Sequence, residues 1–130
     1  MSKKILTMSL CKEKFGICRL DKNESIPAWA QDSDFYSITK TSDELSIVCP
    51  QESIPSDVKC EKGWRMLKVE GPLDFSLIGI LSSISTILAR EGISIFAIST
   101  YDTDYILVKE KDIDKAIEAL VKGNYDIKVN

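Results

Sequence analysis

The sequence predicts an α+β protein made of two ferredoxin-like βαββαβ units in tandem, the first degenerate, with antiparallel sheets and helices on one face. Three observations support this class: two apolar stripes at helical spacing, β-branched runs between them, and turn residues at each change of period. The chain has 130 residues, 44% of them hydrophobic and 28% charged, as in ordinary globular proteins. Two separate domains of about 65 residues would each bury too little surface, so the halves are expected to share a core.

The second half predicts strand, helix, hairpin, helix and strand in that order. Gly71 and Pro72 break the first strand, Asp74 is the predicted N-cap of the first helix, and Gly92 ends that helix. Asp112 is predicted to cap the second helix and Gly123 to end it. The predicted strands span 64–70, 93–100, 105–109 and 125–129. The predicted apolar helix faces are Leu77, Ile80, Leu81, Ile84, Ile87 and Leu88, then Ile113, Ala116, Ile117, Leu120 and Val121.

The first half follows the same plan less clearly, which is why it is predicted to be degenerate. Its predicted strands span 4–10, 15–20, 35–40 and 44–49, with a short helix at 25–30 capped by Ser25. Residues 51–62 are polar and are interpreted as linking the halves. The predicted domains are a degenerate half at 1–57, a connector at 58–63 and a complete βαββαβ domain at 64–130.

The strand at 93–98 is apolar on both faces. Ile93, Ile95 and Ala97 alternate with Phe96 and Ile98, so neither side of this strand is polar. The helices of a βαββαβ unit cover only one face of its sheet. The first half of the chain or a second subunit is therefore expected to cover the other face, and a homodimer is predicted.

Composition and charge exclude several classes of protein. The net charge of −3, from 17 basic and 20 acidic residues, offers no field for steering nucleic acid or an anionic membrane. The basic start of the chain is followed by too short an apolar run for a signal peptide. The longest apolar-rich stretch, 75–89, is interrupted by serine and threonine. We therefore expect a cytoplasmic protein with no nucleic-acid or membrane partner.

No residues suggest catalysis, a metal site or a cofactor. The chain has no histidine, so the commonest general base near neutral pH is missing. Its four cysteines form no C-x-x-C pair and are interpreted as reduced structural thiols. No P-loop, G-x-S-x-G or G-x-G-x-x-G motif occurs. The sequence predicts that the protein is not an enzyme.

Three segments stand out in the second half: Gly63 to Arg65, Val69 to Leu77, and Gly92 to Tyr105. Together they resemble the ACT domains of the CASTOR and aspartokinase-like group. Asp43 to Pro50 resembles the amino-terminal half of the small bacterial members of that group, so the resemblance covers nearly the whole chain. The resemblance implies regulation by a small ligand, usually an amino acid, held where ACT domains meet. It also implies that backbone groups at Ser94 and Ile95 bind the ligand, and that Tyr101 and Asp104 on a hairpin contact a partner enzyme or protein complex.

The turn before the first predicted helix is the second part of the predicted ligand site, on electrostatic grounds. The turn before the first helix presents unpaired N–H groups and the positive end of the helix dipole, which suit a carboxylate. The residues of this turn are Gly71, Pro72, Leu73, Asp74, Phe75 and Ser76. A plain turn with Asp74 as a simple cap is the alternative for this segment, and a solvated hairpin tip is the alternative for Tyr101 and Asp104.

The resemblance does not extend to the number of units. CASTOR sensors contain four ACT-type units, whereas this chain has about two, so homodimerisation would have to rebuild a composite pocket. Arginine specificity does not carry over. Two other functions stay open: a ligand-free dimerisation or protein-interaction module, and a detached regulatory subunit of an amino-acid biosynthetic enzyme such as aspartate kinase.

Overall fold

The computed structural model describes residues 6–71 and 79–129, which contain seven strands and two α-helices. The chain divides into two compact units, one of residues 1–12 with 65–130 and the other of residues 13–64. The strands are β1 (Thr7–Leu20), β2 (Ser37–Lys40), β3 (Leu45–Pro50), β4 (Cys60–Val69), β5 (Ile95–Ser99), β6 (Asp104–Lys109) and β7 (Asp126–Lys128). The α-helices are α1 (Ile80–Arg90) and α2 (Ile113–Lys122).

The unit that contains α1 and α2 has the predicted βαββαβ order, from β4 to β7. Its strands lie in the order β7-β1-β4-β6-β5, so the start of β1 adds a fifth strand between β7 and β4. β5 and β6 form the predicted antiparallel hairpin, with Ile95 opposite Val108 and Ser99 opposite Asp104. β7 runs parallel to β1, which departs from a purely antiparallel sheet. The α+β class and the ferredoxin-like order are confirmed.

The two helices pack their predicted apolar faces into one core. Ile84 and Leu88 of α1 are fully buried there, together with Ala116 and Leu120 of α2. The spacing predicts that Val121 lies on the same face, but its side chain is 44% exposed, which corrects that prediction. Leu77 lies outside the described residues. Neither helix in the described ranges is long and apolar enough to cross a membrane.

The start of α1 differs from the prediction. Its N-cap is Gly79, whose φ of 81° lies in the left-handed region that favours glycine. The predicted cap, Asp74, lies outside the described residues. Asp112 does occupy the N-cap position of α2, but its side chain makes no capping hydrogen bond. Both helices end as predicted, before Gly92 and Gly123.

The strand β6 is covered on both faces, as the apolar pattern requires. Ile106 and Val108 lie in the core with the helices, and Leu107, which points to the opposite face, is also fully buried. On β5 the same alternation leaves Phe96 and Ile98 half-buried. The second face of the sheet is therefore removed from water along β6.

The unit of residues 13–64 contains strands and 3₁₀ turns but no α-helix. Its strands lie in the order β2-β3-β1-β4. The two strands predicted at 4–10 and 15–20 are one strand, β1, and the predicted helix at 25–30 is a 3₁₀ turn at Ala28–Gln31 without a side-chain cap. The core of this unit contains Cys18, Leu20, Ala30, Leu45, Ile47, Cys49 and Ile54.

Candidate functional site

The end of β4, which leads to the predicted ligand-binding turn, is held by hydrogen bonds up to Glu70. The Glu70 N–H donates to the Thr7 carbonyl over 2.8 Å, and the Ser9 hydroxyl donates to the Glu70 carboxylate over 3.0 Å. Gly71 follows and is exposed. The hydrogen bonds therefore fix the end of β4, and the residue that follows it, Gly71, is accessible to solvent. The other predicted residues of this turn, Pro72, Leu73, Asp74, Phe75 and Ser76, lie outside the described residues.

The turn between β5 and β6 closes on itself through its threonines. The Thr100 N–H donates to the Thr103 carbonyl over 2.8 Å, and the Thr100 hydroxyl donates to the same oxygen over 3.0 Å. The Thr103 N–H donates in return to the Thr100 hydroxyl over 3.2 Å. Between these residues Tyr101 projects from the turn and is 81% exposed. Asp104, the other predicted partner-binding residue, accepts a hydrogen bond from Ser99 over 2.5 Å.

Thr103 is a positioning residue that the sequence prediction passed over. It is only 5% exposed, and its hydroxyl donates to the Val69 carbonyl over 2.5 Å. This bond joins the β5–β6 turn to the end of β4, two residues before Gly71. The signal in the sequence is a threonine at each end of a four-residue turn, Thr100 and Thr103. By composition alone, such a turn is expected to be polar surface. The structure therefore brings Gly71 and the Tyr101 turn to the same end of this unit.

Ser94 and Ile95 lie at the opposite end. Ser94 is exposed just before β5 begins, and Ile95 packs its half-buried side chain against the core. Since β5 rises ~3.3 Å per residue, Ser94 lies ~20 Å from the turn at Thr100. The two predicted parts of the ligand site, Gly71 and Ser94, are thus not brought together within one chain. An amino acid is too short to touch both.

The described residues near Gly71 carry charged groups but no metal-binding cluster. No cluster of three or more potential metal ligands occurs in ranges 6–71 and 79–129. At the Gly71 end of the unit, Lys68 and Glu70 approach to 4.0 Å, and both side chains are partly exposed. Such an exposed pair stabilises little but leaves both charges reachable from solvent. Gly71 and Ser94 are both exposed to solvent.

The unit of residues 13–64 contains a separate feature that the sequence prediction missed. An open cleft of about 560 Å³ is lined by Lys22, Asn23, Lys40, Thr41 and Ser42. The Lys40 ammonium donates to the Lys22 carbonyl. Residues far apart in sequence meet here because the β2–β3 hairpin returns its tip to the loop after β1, and no local pattern shows that meeting.

Comparison with known proteins identifies the relatives of this chain. The ACT domain family model matches residues 59–122, and a separate N-terminal domain model matches residues 13–57. The human protein named "Cytosolic arginine sensor for mTORC1 subunit 1" is 35% identical over 94 residues, which cover 66% of this chain and 29% of that protein. The chain therefore spans less than a third of the length of that relative.

Solved structures extend the similarity to the whole chain. A protein from Agrobacterium tumefaciens has a TM-score of 0.92 and 38% sequence identity, covering 100% of this chain and 96% of that one. The ligand-free regulatory subunit of aspartate kinase from Thermus thermophilus has a TM-score of 0.60 at 10% identity, covering 88% and 95%. The second similarity is one of fold alone. The first extends over nearly all of both chains.

Proposed function

The chain belongs to the ACT domain family, and from this premise we propose that it is a non-catalytic regulatory module that binds an amino acid where two ACT domains meet. The observation that carries the proposal is the exposed position of Ser94, directly before a strand whose first side chain, Ile95, packs against the core. Backbone N–H and C=O groups at an exposed position beside an anchored side chain suit the carboxylate and ammonium of an amino acid. The human relative is named as an arginine sensor, and no arginine specificity is proposed here.

The strand β5 gives the site its second property. In the described sheet β5 lies at the end of the strand order and pairs with β6 only. One side of its backbone is thus available for a ligand or another chain. We propose the ligand-binding residues as Ser94 and Ile95 with the turn Gly71, Pro72, Leu73, Asp74, Phe75 and Ser76.

A second copy of the chain completes the proposed site. Gly71 and Ser94 lie too far apart in one chain for a single amino acid to contact both. In a two-fold symmetric dimer the same surface occurs on both subunits, so Ser94 of one copy can meet the Gly71 turn of the other. The homodimer then has two equivalent composite sites. Tyr101 and Asp104, at the Gly71 end, are proposed to contact a partner enzyme or complex.

The remaining assignments are proposals on the same basis. We propose a cytoplasmic location, since the human relative is named as cytosolic. We also propose that the sequence divides into a degenerate half at 1–57, a connector at 58–63 and an ACT domain at 64–130. In the structure β4 already begins at Cys60, and the start of β1 belongs to the unit that contains the helices. The structural similarity to the regulatory subunit of aspartate kinase keeps a detached regulatory subunit as the second candidate function.

A thermal-shift series with each common amino acid tests ligand binding. A ligand at about 100 times its Kd should stabilise the fold by ~2.7 kcal/mol. Ser94→Tyr should abolish the shift by filling the site, whereas Ser56→Tyr, at an exposed position in the other unit, should keep it. No shift with any amino acid would favour the ligand-free assembly module.

A mixing experiment tests whether the site is composite. Ser94→Tyr and Gly71→Asp should each abolish binding in their own homodimers. A heterodimer of the two variants contains one site with intact Gly71 from one chain and intact Ser94 from the other. Binding should therefore return when the two inactive variants exchange subunits. Failure to restore binding, with heterodimers demonstrated by mass spectrometry, would contradict the composite site.

A further inference from the structure

Three cysteines meet on one face of the sheet in the unit of residues 13–64. Cys18 lies on β1 opposite Ile47, and Cys49 lies on β3 opposite Gly16, so their side chains are diagonal neighbours on the same face. Both belong to the core of this unit, and Cys60 of β4 packs against it. All three are free thiols. The ligand-binding proposal uses none of them.

The pairing of β1 with β4 sets Cys18 against Cys60. The Arg19 N–H donates to the Lys59 carbonyl over 3.0 Å. The next residues, Cys18 and Cys60, are therefore directly opposite in a pair that exchanges no backbone hydrogen bonds. The same register places Gly16, two residues before Cys18, opposite Lys62, two residues after Cys60. In agreement, a Cβ built on Gly16 would lie 3.6 Å from the Lys62 side chain.

This kind of pair has the spacing that a disulfide requires. Cα atoms of opposed residues without hydrogen bonds are ~4.5 Å apart, within the ~4.4–6.8 Å range of disulfides. The diagonal pair Cys18 and Cys49 is farther apart at its Cα atoms, at ~7 Å or more. Backbone geometry thus favours Cys60 over Cys49 as the covalent partner of Cys18.

The environments of the thiols decide which one an oxidant reaches first. Cys18 is 2% exposed and Cys49 is fully buried, whereas Cys60 is half-buried at the rim. The hydrogen bond to Cys49 and burial both raise the pKa of Cys18, and the hydrogen bond from Cys18 lowers the pKa of Cys49. In the reduced protein the Cys18 thiol is therefore protonated and shielded from solvent. Of the three thiols, Cys60 is the one most accessible to a dissolved oxidant.

We propose that Cys18 and Cys60 form a reversible disulfide when the protein meets a hydroperoxide. The Cys60 sulfur attacks the peroxide, the O–O bond breaks, and Cys60 becomes a sulfenic acid as one water leaves from hydrogen peroxide. The Cys18 sulfur then attacks the Cys60 sulfur. The S–S bond forms, the S–O bond breaks, and the hydroxide leaves as water with the Cys18 proton. Two thiols are oxidised and one peroxide is reduced to two waters.

Mass spectrometry of the full chain treated with excess hydrogen peroxide tests the disulfide. The intact mass should fall by about 2 Da, as two hydrogens are lost, and return with dithiothreitol. Non-reducing digestion should yield one linked pair of peptides, joining Cys18 to Cys60. The disulfide should raise the thermal midpoint by at least about 5 °C, since it closes a long loop. Neither measurement depends on amino-acid binding.

Variants locate the reacting pair. Cys60→Ser, at the rim of the core, should prevent the mass loss. Cys11→Ser, which removes a thiol of the other unit, should leave both the mass loss and the linkage unchanged. A Cys18–Cys49 linkage, a linkage between chains, oxidation that stops on Cys60 alone, or four unreacted thiols in the folded protein would each overturn the proposal.

Discussion

Replacing Thr103 with valine tests how the β5–β6 turn is held to the end of β4. Valine keeps the shape of threonine but removes the hydroxyl that donates to the Val69 carbonyl over 2.5 Å. Because Thr103 is only 5% exposed, water cannot replace the lost donor. Loss of the bond with a buried acceptor left unsatisfied should cost ~1–3 kcal/mol of unfolding free energy.

Urea unfolding followed by circular dichroism measures the effect, with hydrogen exchange at the turn as a local readout. Thr103→Ser keeps the hydroxyl and loses one buried methyl group, so it should cost less, at ~0.8 kcal/mol. Thr39→Val, on an exposed position of β2, should change stability by no more than ~0.5 kcal/mol. A Thr103→Val variant as stable as wild type, with unchanged exchange at the turn, would refute the role assigned to the bond.

Two further substitutions test the core that supports the site. Leu120→Ala removes a fully buried side chain from α2 and should cost ~2–5 kcal/mol in urea unfolding, whereas Val121→Ala, next to it and 44% exposed, should cost far less. Equal effects would mean that α2 is packed in another rotation. Tyr125→Phe removes the hydroxyl that donates to Ser83 over 2.9 Å and should lower stability by ~0.5–1.5 kcal/mol; an unchanged midpoint would show that water replaces this bond.

The periodic elements of the second half could be predicted from the sequence because their signals are local. The apolar spacing of α1 and α2, and the glycines that end them, show in any window of about 11–18 residues. The β5–β6 hairpin is similar, since a turn of polar residues separates two β-branched runs. These predictions are confirmed within one to a few residues at most ends.

The errors in the first half have a common physical origin. Lys12, Glu13 and Lys14 are consecutive exposed residues, a composition typical of a turn, yet β1 continues through them. The strands that pair with β1 are β3, β4 and β7, which all come far along the chain. The insertion of β1 beside β7 is equally nonlocal. No periodicity within β1 specifies which strands lie beside it.

The residues of the predicted site also differ in whether local sequence could place them. The hairpin predicted around Tyr101 is present, and Tyr101 lies exposed in its turn. The separation of Gly71 from Ser94 depends on the direction of β5 relative to β4. No local sequence pattern predicts that direction. Thr103 was missed because its acceptor, the Val69 carbonyl, is 34 residues earlier and belongs to the backbone.

The internal hydrogen bonds of the turn from Thr100 to Thr103 affect how ligand binding would be transmitted to a partner protein. A tip that already holds its shape loses little conformational entropy when another protein docks against Tyr101. Docking strength then depends on where the tip is placed and not on whether it is folded. Since Thr103 ties that placement to the strand leading into Gly71, we expect an effector to act by displacing a rigid epitope, without a transition between order and disorder.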